Sequence, residues 1–189
     1  ELRGGRWTGW RPTHLMGRGL AGKTLGLIGF GRIAQACAER AAALGMAIRY
    51  YSRRDNGDPR RAPTIEALVG EADIVSLHVP GGAETRHLVD AALLAAMRPG
   101  AILINTARGS IVDEAALADA LDSGQVGAAG LDVYEREPLV HPRLLACRTA
   151  VLLPHLGSAT IEARTAMGMQ AAGNLEAFFA GREPPNRVA

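Results

Sequence analysis

The feature that most constrains this chain is an apolar strand that runs into a glycine turn and then into a helix. Residues 25–29, Leu-Gly-Leu-Ile-Gly, read as a buried strand, and residues 32–44 read as a helix. Between them Gly29-Phe30-Gly31-Arg32-Ile33-Ala34 matches G-x-G-x-x-A. The string is weak alone, but between a strand and a helix it becomes informative. Gly29 allows a tight turn, Gly31 lets an anion approach the backbone, and Ala34 lets the helix pack close to the sheet. The helix N-terminus adds free N–H groups and partial positive charge. The pattern predicts a pyrophosphate cradle for a dinucleotide, formed by Gly29, Phe30, Gly31, Arg32 and Ile33.

The rest of the chain repeats this alternation of strand and helix. Strands are expected at 47–51, 74–77, 101–105, 128–133 and 151–153. Helices are expected at 64–69, at 91–97, at 114–123 behind an Asp113 cap, and from about 160 to 180, ending at Gly181. On the first helix Ile33, Cys37, Ala41 and Leu44 recur at spacings of 4, 4 and 3; on the last, Met167, Ala171, Leu175 and Phe178 share a face. Strands without polar alternation, separated by helices, predict a doubly wound α/β fold of Rossmann type. Its sheet would be parallel, with helices on both faces and right-handed crossovers. Residues 23–160 would form the dinucleotide-binding domain, 161–189 a C-terminal helix and tail, and the aperiodic 1–22 an arm or linker.

Composition excludes several classes. Apolar residues make up 48% of the 189 positions, which is enough to build a core and argues against disorder. Aromatics are only 4%, so that core must come from Ala, Leu, Val and Ile. No apolar run is long enough for a membrane-spanning helix, and the polar N-terminus is no secretory signal. A net charge of +2 gives no reason to expect nucleic acid. Cys37 and Cys147 are far apart without C-x-x-C spacing, so neither a disulfide framework nor a metal site is expected, and a reducing cytoplasm fits.

The end of the second strand bears on cofactor choice. NAD-binding chains usually place an acid about 20 residues past the glycines, on the ribose 2′-hydroxyl. Here the sequence is Tyr50-Tyr51-Ser52-Arg53-Arg54, with no acid before Asp55. A hydroxyl and two guanidinium groups suit a 2′-phosphate. NADP(H) is therefore expected over NAD(H), with NAD still possible. The plainer alternative is that Arg53 and Arg54 are solvated loop charges.

Three further strand ends carry polar residues. Asn105-Thr106-Ala107-Arg108-Gly109 follows the fourth strand, residues 130–138 (G-L-D-V-Y-E-R-E-P) follow the fifth, and residues 153–160 (L-P-H-L-G-S-A-T) follow the sixth. Ligands of open α/β sheets sit at these ends, so Arg108, Glu137 and His155 could converge there. Singly, each has an ordinary structural reading: a helix cap, a solvated acid, a histidine bonded to backbone. His14, His78, His87 and His141 match no catalytic motif and read as structural or surface, and Cys37 as core.

These ordered motifs closely resemble the cofactor-binding domain of the D-isomer-specific 2-hydroxyacid dehydrogenases. Within that family, Ser52-Arg53-Arg54 and Gly157-Ser158-Ala159-Thr160 look most like NADPH-dependent glyoxylate/hydroxypyruvate reductases. The resemblance implies hydride transfer between NADP(H) and a small 2-oxo or 2-hydroxy acid. Arg108 would bind the substrate carboxylate and carbonyl, and His155 would protonate the carbonyl oxygen. Glu137 would pair with His155 and keep the imidazolium populated. Thr106, Ala107, Asp132, His155 and Gly157 would lie on the nicotinamide side, and Val79, Pro80 and Thr85 beside the adenosine. One departure is Gly81-Gly82-Ala83, where the family commonly has Leu-Thr-Pro; that loop should be more flexible. The resemblance also implies a homodimer through this domain, with Trp7 and Trp10 of the arm in the contact. It implies a preceding substrate domain too, so the 189 residues are expected to bind cofactor but turn substrate over poorly. Two other readings stay open: a dinucleotide-sensing transcriptional corepressor, and an NAD-dependent enzyme like phosphoglycerate dehydrogenase.

Overall fold

A computed structural model describes residues 1–188. Its strands are β1 (Thr24–Ile28), β2 (Ala47–Tyr51), β3 (Ile74–Leu77), β4 (Ala101–Asn105), β5 (Val126–Leu131) and β6 (Ala150–Leu152). Its helices are α1 (Arg32–Ala43), α2 (Ile65–Glu71), α3 (Ala91–Ala96), α4 (Glu114–Asp122), α5 (Pro142–Ala146) and α6 (Ile161–Phe179). All strand pairs are parallel, in the order β2-β1-β3-β4-β5-β6. This is the doubly wound α/β architecture expected. The order reverses between β1 and β3, which opens a crevice at the carboxyl ends of those strands.

The sheet separates two apolar clusters. Leu25 and Leu27 of β1 pack with Ala34, Ala38 and Ala41 of α1, while Ile28 joins the larger cluster of Leu68, Val75, Leu77, Leu94, Leu103 and Leu117. The alternation along β1 is the period of two that sends successive side chains to opposite faces. The spacing that marks α1 as a helix does not mark its buried face, although Ala41 is buried and Cys37 packs against the smaller cluster. Ile33 and Leu44 are 76% and 59% exposed, and Cys37 is only half-buried; the buried residues are the three alanines. A helix lying close on a sheet has room there for the smallest side chains, and the larger ones turn outward.

Side-chain caps start the helices on the other face. Thr64 Oγ1 accepts the Ala67 N–H at the start of α2, and Asp90 Oδ1 accepts the Leu93 N–H at the start of α3. Asp113 Oδ1 takes the N–H groups of Ala115 and Ala116, as its predicted capping role requires. Helix α5 has no counterpart among the helices expected above: five residues behind His141 are too few to show a period. The shared face expected on α6 is real as a stripe but not as core. Met167, Leu175 and Phe178 are 58%, 58% and 65% exposed, and Ala177 is the buried residue of that helix.

Residues 1–23 contain turns but no strand or helix. Trp10 is 79% exposed, and Arg18 ties the arm to the body through the Gly100 carbonyl. Among the described residues, no helix is long and apolar enough to cross a membrane.

Candidate active site

The carboxyl end of β1 builds the first wall. Gly29 has φ +93°, and a Cβ there would stand 2.7 Å from the His78 carbonyl oxygen, so only glycine makes this turn against β3. Gly31 is the N-cap of α1; no side chain caps that helix and no acid sits in its first turn. A Cβ on Gly31 would meet nothing within 4 Å. The start of α1 thus has open space at Gly31 and neither a capping side chain nor a competing carboxylate, which is what a diphosphate requires. The residues fit the cofactor that the motif implies.

A groove of about 730 Å³ runs from Phe30 and Gly31 to Ser52, Arg53 and Arg54. Arg53 reaches Glu84 at 3.2 Å, but both side chains are over four-fifths exposed, so the pair contributes little. The Ser52 hydroxyl donates to the Arg54 carbonyl. Thr85 Oγ1 donates to the Pro80 carbonyl at 2.7 Å and closes the Gly81-Gly82 loop on itself. Val79 is half-buried against the larger core cluster.

The other wall is built by the ends of β4, β5 and β6. Asn105 is 1% exposed; its amide donates to the Arg108 carbonyl and its Oδ1 accepts the Ala107 N–H. That wraps Thr106, Ala107 and Arg108 into a fixed turn with the Arg108 side chain exposed. Gly109 then lies flat on the next loop, where a Cβ would overlap the carbonyl group of Tyr134. Tyr134 is buried, and its one hydroxyl proton is shared between the Leu153 carbonyl at 2.9 Å and the Leu131 carbonyl at 3.2 Å, joining the ends of β5 and β6.

His155 Nδ1 stands 2.8 Å from Glu137 Oε2, and Glu137 Oε1 accepts the Tyr134 N–H at 3.1 Å. The hydrogen bond from His155 is the main influence holding the Glu137 carboxyl below the usual glutamate range; burial opposes it, and the Tyr134 amide and the Arg108 charge add to it. Nδ1 is committed to Glu137, so Nε2 is the atom left for chemistry. Asp132 is 3% exposed, and its two oxygens accept the N–H groups of Leu156 and Gly157 at 2.6 and 2.7 Å. The resemblance assigns Asp132 to the nicotinamide side; here its carboxylate is spent on fixing the loop that carries His155.

The structure therefore joins His155 and Glu137 directly, brings Arg108 within electrostatic reach of Glu137, and leaves Ser52, Arg53 and Arg54 on a separate groove. Sequence reasoning missed the supports. Glu114, 7% exposed, accepts the Glu135 N–H, and Glu135 in turn holds Arg86 and His87 at 2.8 Å. Burial raises the Glu135 pKa, but His87 and Arg86 outweigh it and the net direction is down. These residues carry no spacing signal, because the partners lie on different segments of the chain. Of the other histidines, His14 meets Glu1, His78 bonds Ser76 while burial pushes its pKa down, and His141 Nδ1 is buried without a partner among the described residues.

Comparison with known proteins places the chain in a family. Residues 1–157 match the family model of the D-isomer specific 2-hydroxyacid dehydrogenase, NAD binding domain. The glyoxylate reductase of Thermococcus litoralis is 47% identical over 196 aligned positions, covering 99% of this chain and 59% of that protein. The glyoxylate reductase of Aeropyrum pernix is 46% identical, with 99% and 59% covered. The NADPH-dependent glyoxylate/hydroxypyruvate reductase of Sinorhizobium meliloti, solved with NADP and malonate, superposes with a TM-score of 0.91 at 42% identity, covering all of this chain and 60% of that one. The chain thus spans about three-fifths of the length of such relatives. Fold, strand-end motifs and relatives agree that the chain belongs to the D-isomer specific 2-hydroxyacid dehydrogenases and carries their NAD-binding domain.

Proposed function

We propose that this chain supplies the cofactor-binding and proton-transfer half of an NADPH-dependent reductase of glyoxylate, hydroxypyruvate or a similar small 2-oxo acid. The observation that carries the reading is the His155–Glu137 pair, 2.8 Å apart at the carboxyl ends of the strands. NADPH, when bound, supplies the hydride. Gly29 to Ile33 hold its diphosphate, Val79, Pro80 and Thr85 flank its adenosine, and Ser52, Arg53 and Arg54 receive the 2′-phosphate. Thr106, Ala107, Asp132 and Gly157 border the nicotinamide side, Asp132 by fixing the loop. Arg108 binds the substrate carboxylate and faces the charge that develops on the carbonyl oxygen. His155 delivers the proton from Nε2 to that oxygen, and Glu137 holds the ring by Nδ1 so that Nε2 stays aimed. In the reverse direction His155 takes the proton back.

The names of the relatives and the NADP-bound neighbour support the substrate class and the cofactor. The half-exposed Trp7 and the largely exposed Trp10 support an arm that packs in a homodimer, which sedimentation would report as twice the chain mass. The two free cysteines support a reducing, cytoplasmic setting. The test is to titrate this chain with NADPH and NADH, and to assay it joined to its substrate domain against a panel of 2-oxo acids. Tighter NADPH binding, and loss of reduction in a His155→Ala variant, are expected. NADH binding as tight as NADPH, or a His155→Ala enzyme of full activity, overturns the reading.

A further inference from the structure

We propose that Arg60 is the pre-organised reader of the cofactor's 2′-phosphate, and that Asp58 is the positioning residue that aims it. The inference deepens the NADPH reading and rests on it. Arg60 lies in the loop between β2 and α2, outside every motif, yet it lines the same groove as Arg53 and Arg54. Its guanidinium carbon sits 5.6 Å from the centroid of the Phe30 ring, so the charge is held against the turn between Gly29 and Gly31.

The way Arg60 is held separates it from its neighbours. Nε lies 3.1 Å from both Asp58 oxygens and Nη2 lies 2.6 Å from Oδ2. Two of the three guanidinium nitrogens are thereby fixed, and Nη1 has no protein partner among the described residues. Asp58 is itself anchored. Its side chain is 17% exposed, its Oδ1 also accepts the Arg60 N–H, and its own N–H donates to Asn56 Oδ1. Asn56 Oδ1 also accepts the hydroxyl of Tyr50, a fully buried residue stacked on Phe30 at 3.8 Å. A chain of contacts therefore runs from the core through Asn56 and Asp58 to Arg60. The Arg60 side chain holds the Asp58 pKa down at about 2, so the carboxylate stays charged at any working pH.

Arg53 and Arg54 have no such frame. Arg53 meets only the exposed Glu84, and the Arg54 guanidinium has no hydrogen-bond partner among the described residues. An arginine already locked in place loses less freedom on binding phosphate than one that must be ordered. The same geometry disposes of Asp58 as a ribose acid of the NAD type. Its two oxygens already serve Arg60 and the turn, so a 2′-hydroxyl would find no uncommitted acceptor there.

The test measures NADPH and NADH affinity for the wild type and for Arg60→Ala, Arg60→Lys and Asp58→Asn. The wild type decides the underlying reading: if it binds NADPH no tighter than NADH, the cofactor assignment fails and this inference with it. Given a wild-type preference for NADPH, Arg60→Ala is expected to weaken NADPH binding about tenfold, the cost of one charge-assisted bond to phosphate, while NADH binding changes less than about twofold. Unchanged NADH binding also shows that the variant folds. Arg60→Lys should recover only part of the loss, since lysine keeps the charge but not the fork. Asp58→Asn should weaken NADPH selectively. An Arg60→Ala protein that keeps the full preference, or loses both cofactors equally, overturns the role of Arg60 alone. Tighter NADPH binding by Asp58→Asn overturns the aiming role of Asp58.

Discussion

At one end of the crevice His155 and Glu137 rest on buried, fully bonded supports: Asn105, Asp132 and Tyr134 are each under a tenth exposed and each holds a strand-end loop. At the other end Arg53 and Arg54 project from an exposed loop, and the ion pair on Arg53 joins two side chains that are over four-fifths exposed. The difference fits the roles proposed for the two ends. Proton transfer needs atoms held to a fraction of an ångström, and buried hydrogen bonds provide that. At Arg53 and Arg54 the proposed phosphate recognition relies on charge, which acts over several ångströms and tolerates looser geometry; Arg60, framed by Asp58 in the same groove, is the exception.

The contrast can be broken first at the catalytic pair. In the enzyme complete with its substrate domain, His155→Ala should lower turnover of a 2-oxo acid by about 10²–10⁴-fold and leave the NADPH dissociation constant unchanged; an equal loss in both would show that the two ends are not separable. Next come two glycines. Gly109→Ala drives a Cβ into the Tyr134 carbonyl and should cost roughly 1–3 kcal/mol in a urea titration, with activity lost alongside. Gly31→Ala meets nothing and should change stability by less than about 0.5 kcal/mol, yet weaken dinucleotide binding. If Gly109→Ala is as stable as the wild type, the loops at the catalytic end are not packed as described.

Two smaller effects sharpen the comparison. Glu137 is depressed by His155, so its pairing stabilises the fold above its ordinary pKa of 4.5 and the contribution is lost as pH falls through the lower folded value. Denaturation midpoints should therefore fall more steeply below about pH 4.5 for the wild type than for Glu137→Gln; identical slopes would remove the ion pair from the account. At the arginine end, NADPH affinity should fall with added salt more than NADH affinity, and Glu84→Gln should change either by less than about twofold.

Much of this was legible in the chain. Apolar runs placed all six strands to within about two residues, because a parallel strand buried on both faces needs such a run. The G-x-G-x-x-A turn, Arg108, Glu137 and His155 were legible because each follows a strand closely. The orientation of α1 was not, since Ile33 and Leu44 mimic an apolar stripe that the sheet has no room to accept. Helix α5 was too short for a period. Asp58 and Arg60 were not legible either, because a loop folding back on Phe30 leaves no spacing rule behind.

The sequence by itself determined the order of elements, the phosphate turn and the residues that carry charge at each strand end. These are local properties, set by side-chain period and by which residues permit a tight turn. The tertiary structure alone decided which of those residues meet. Glu137 and His155 are 18 positions apart and Asp132 reaches Leu156 across 24, so their contacts exist only once β5 and β6 lie side by side. The same holds for the contrast between the buried supports of His155 and Glu137 and the exposed Arg53 and Arg54, which depends on burial, and burial is a property of the packed sheet.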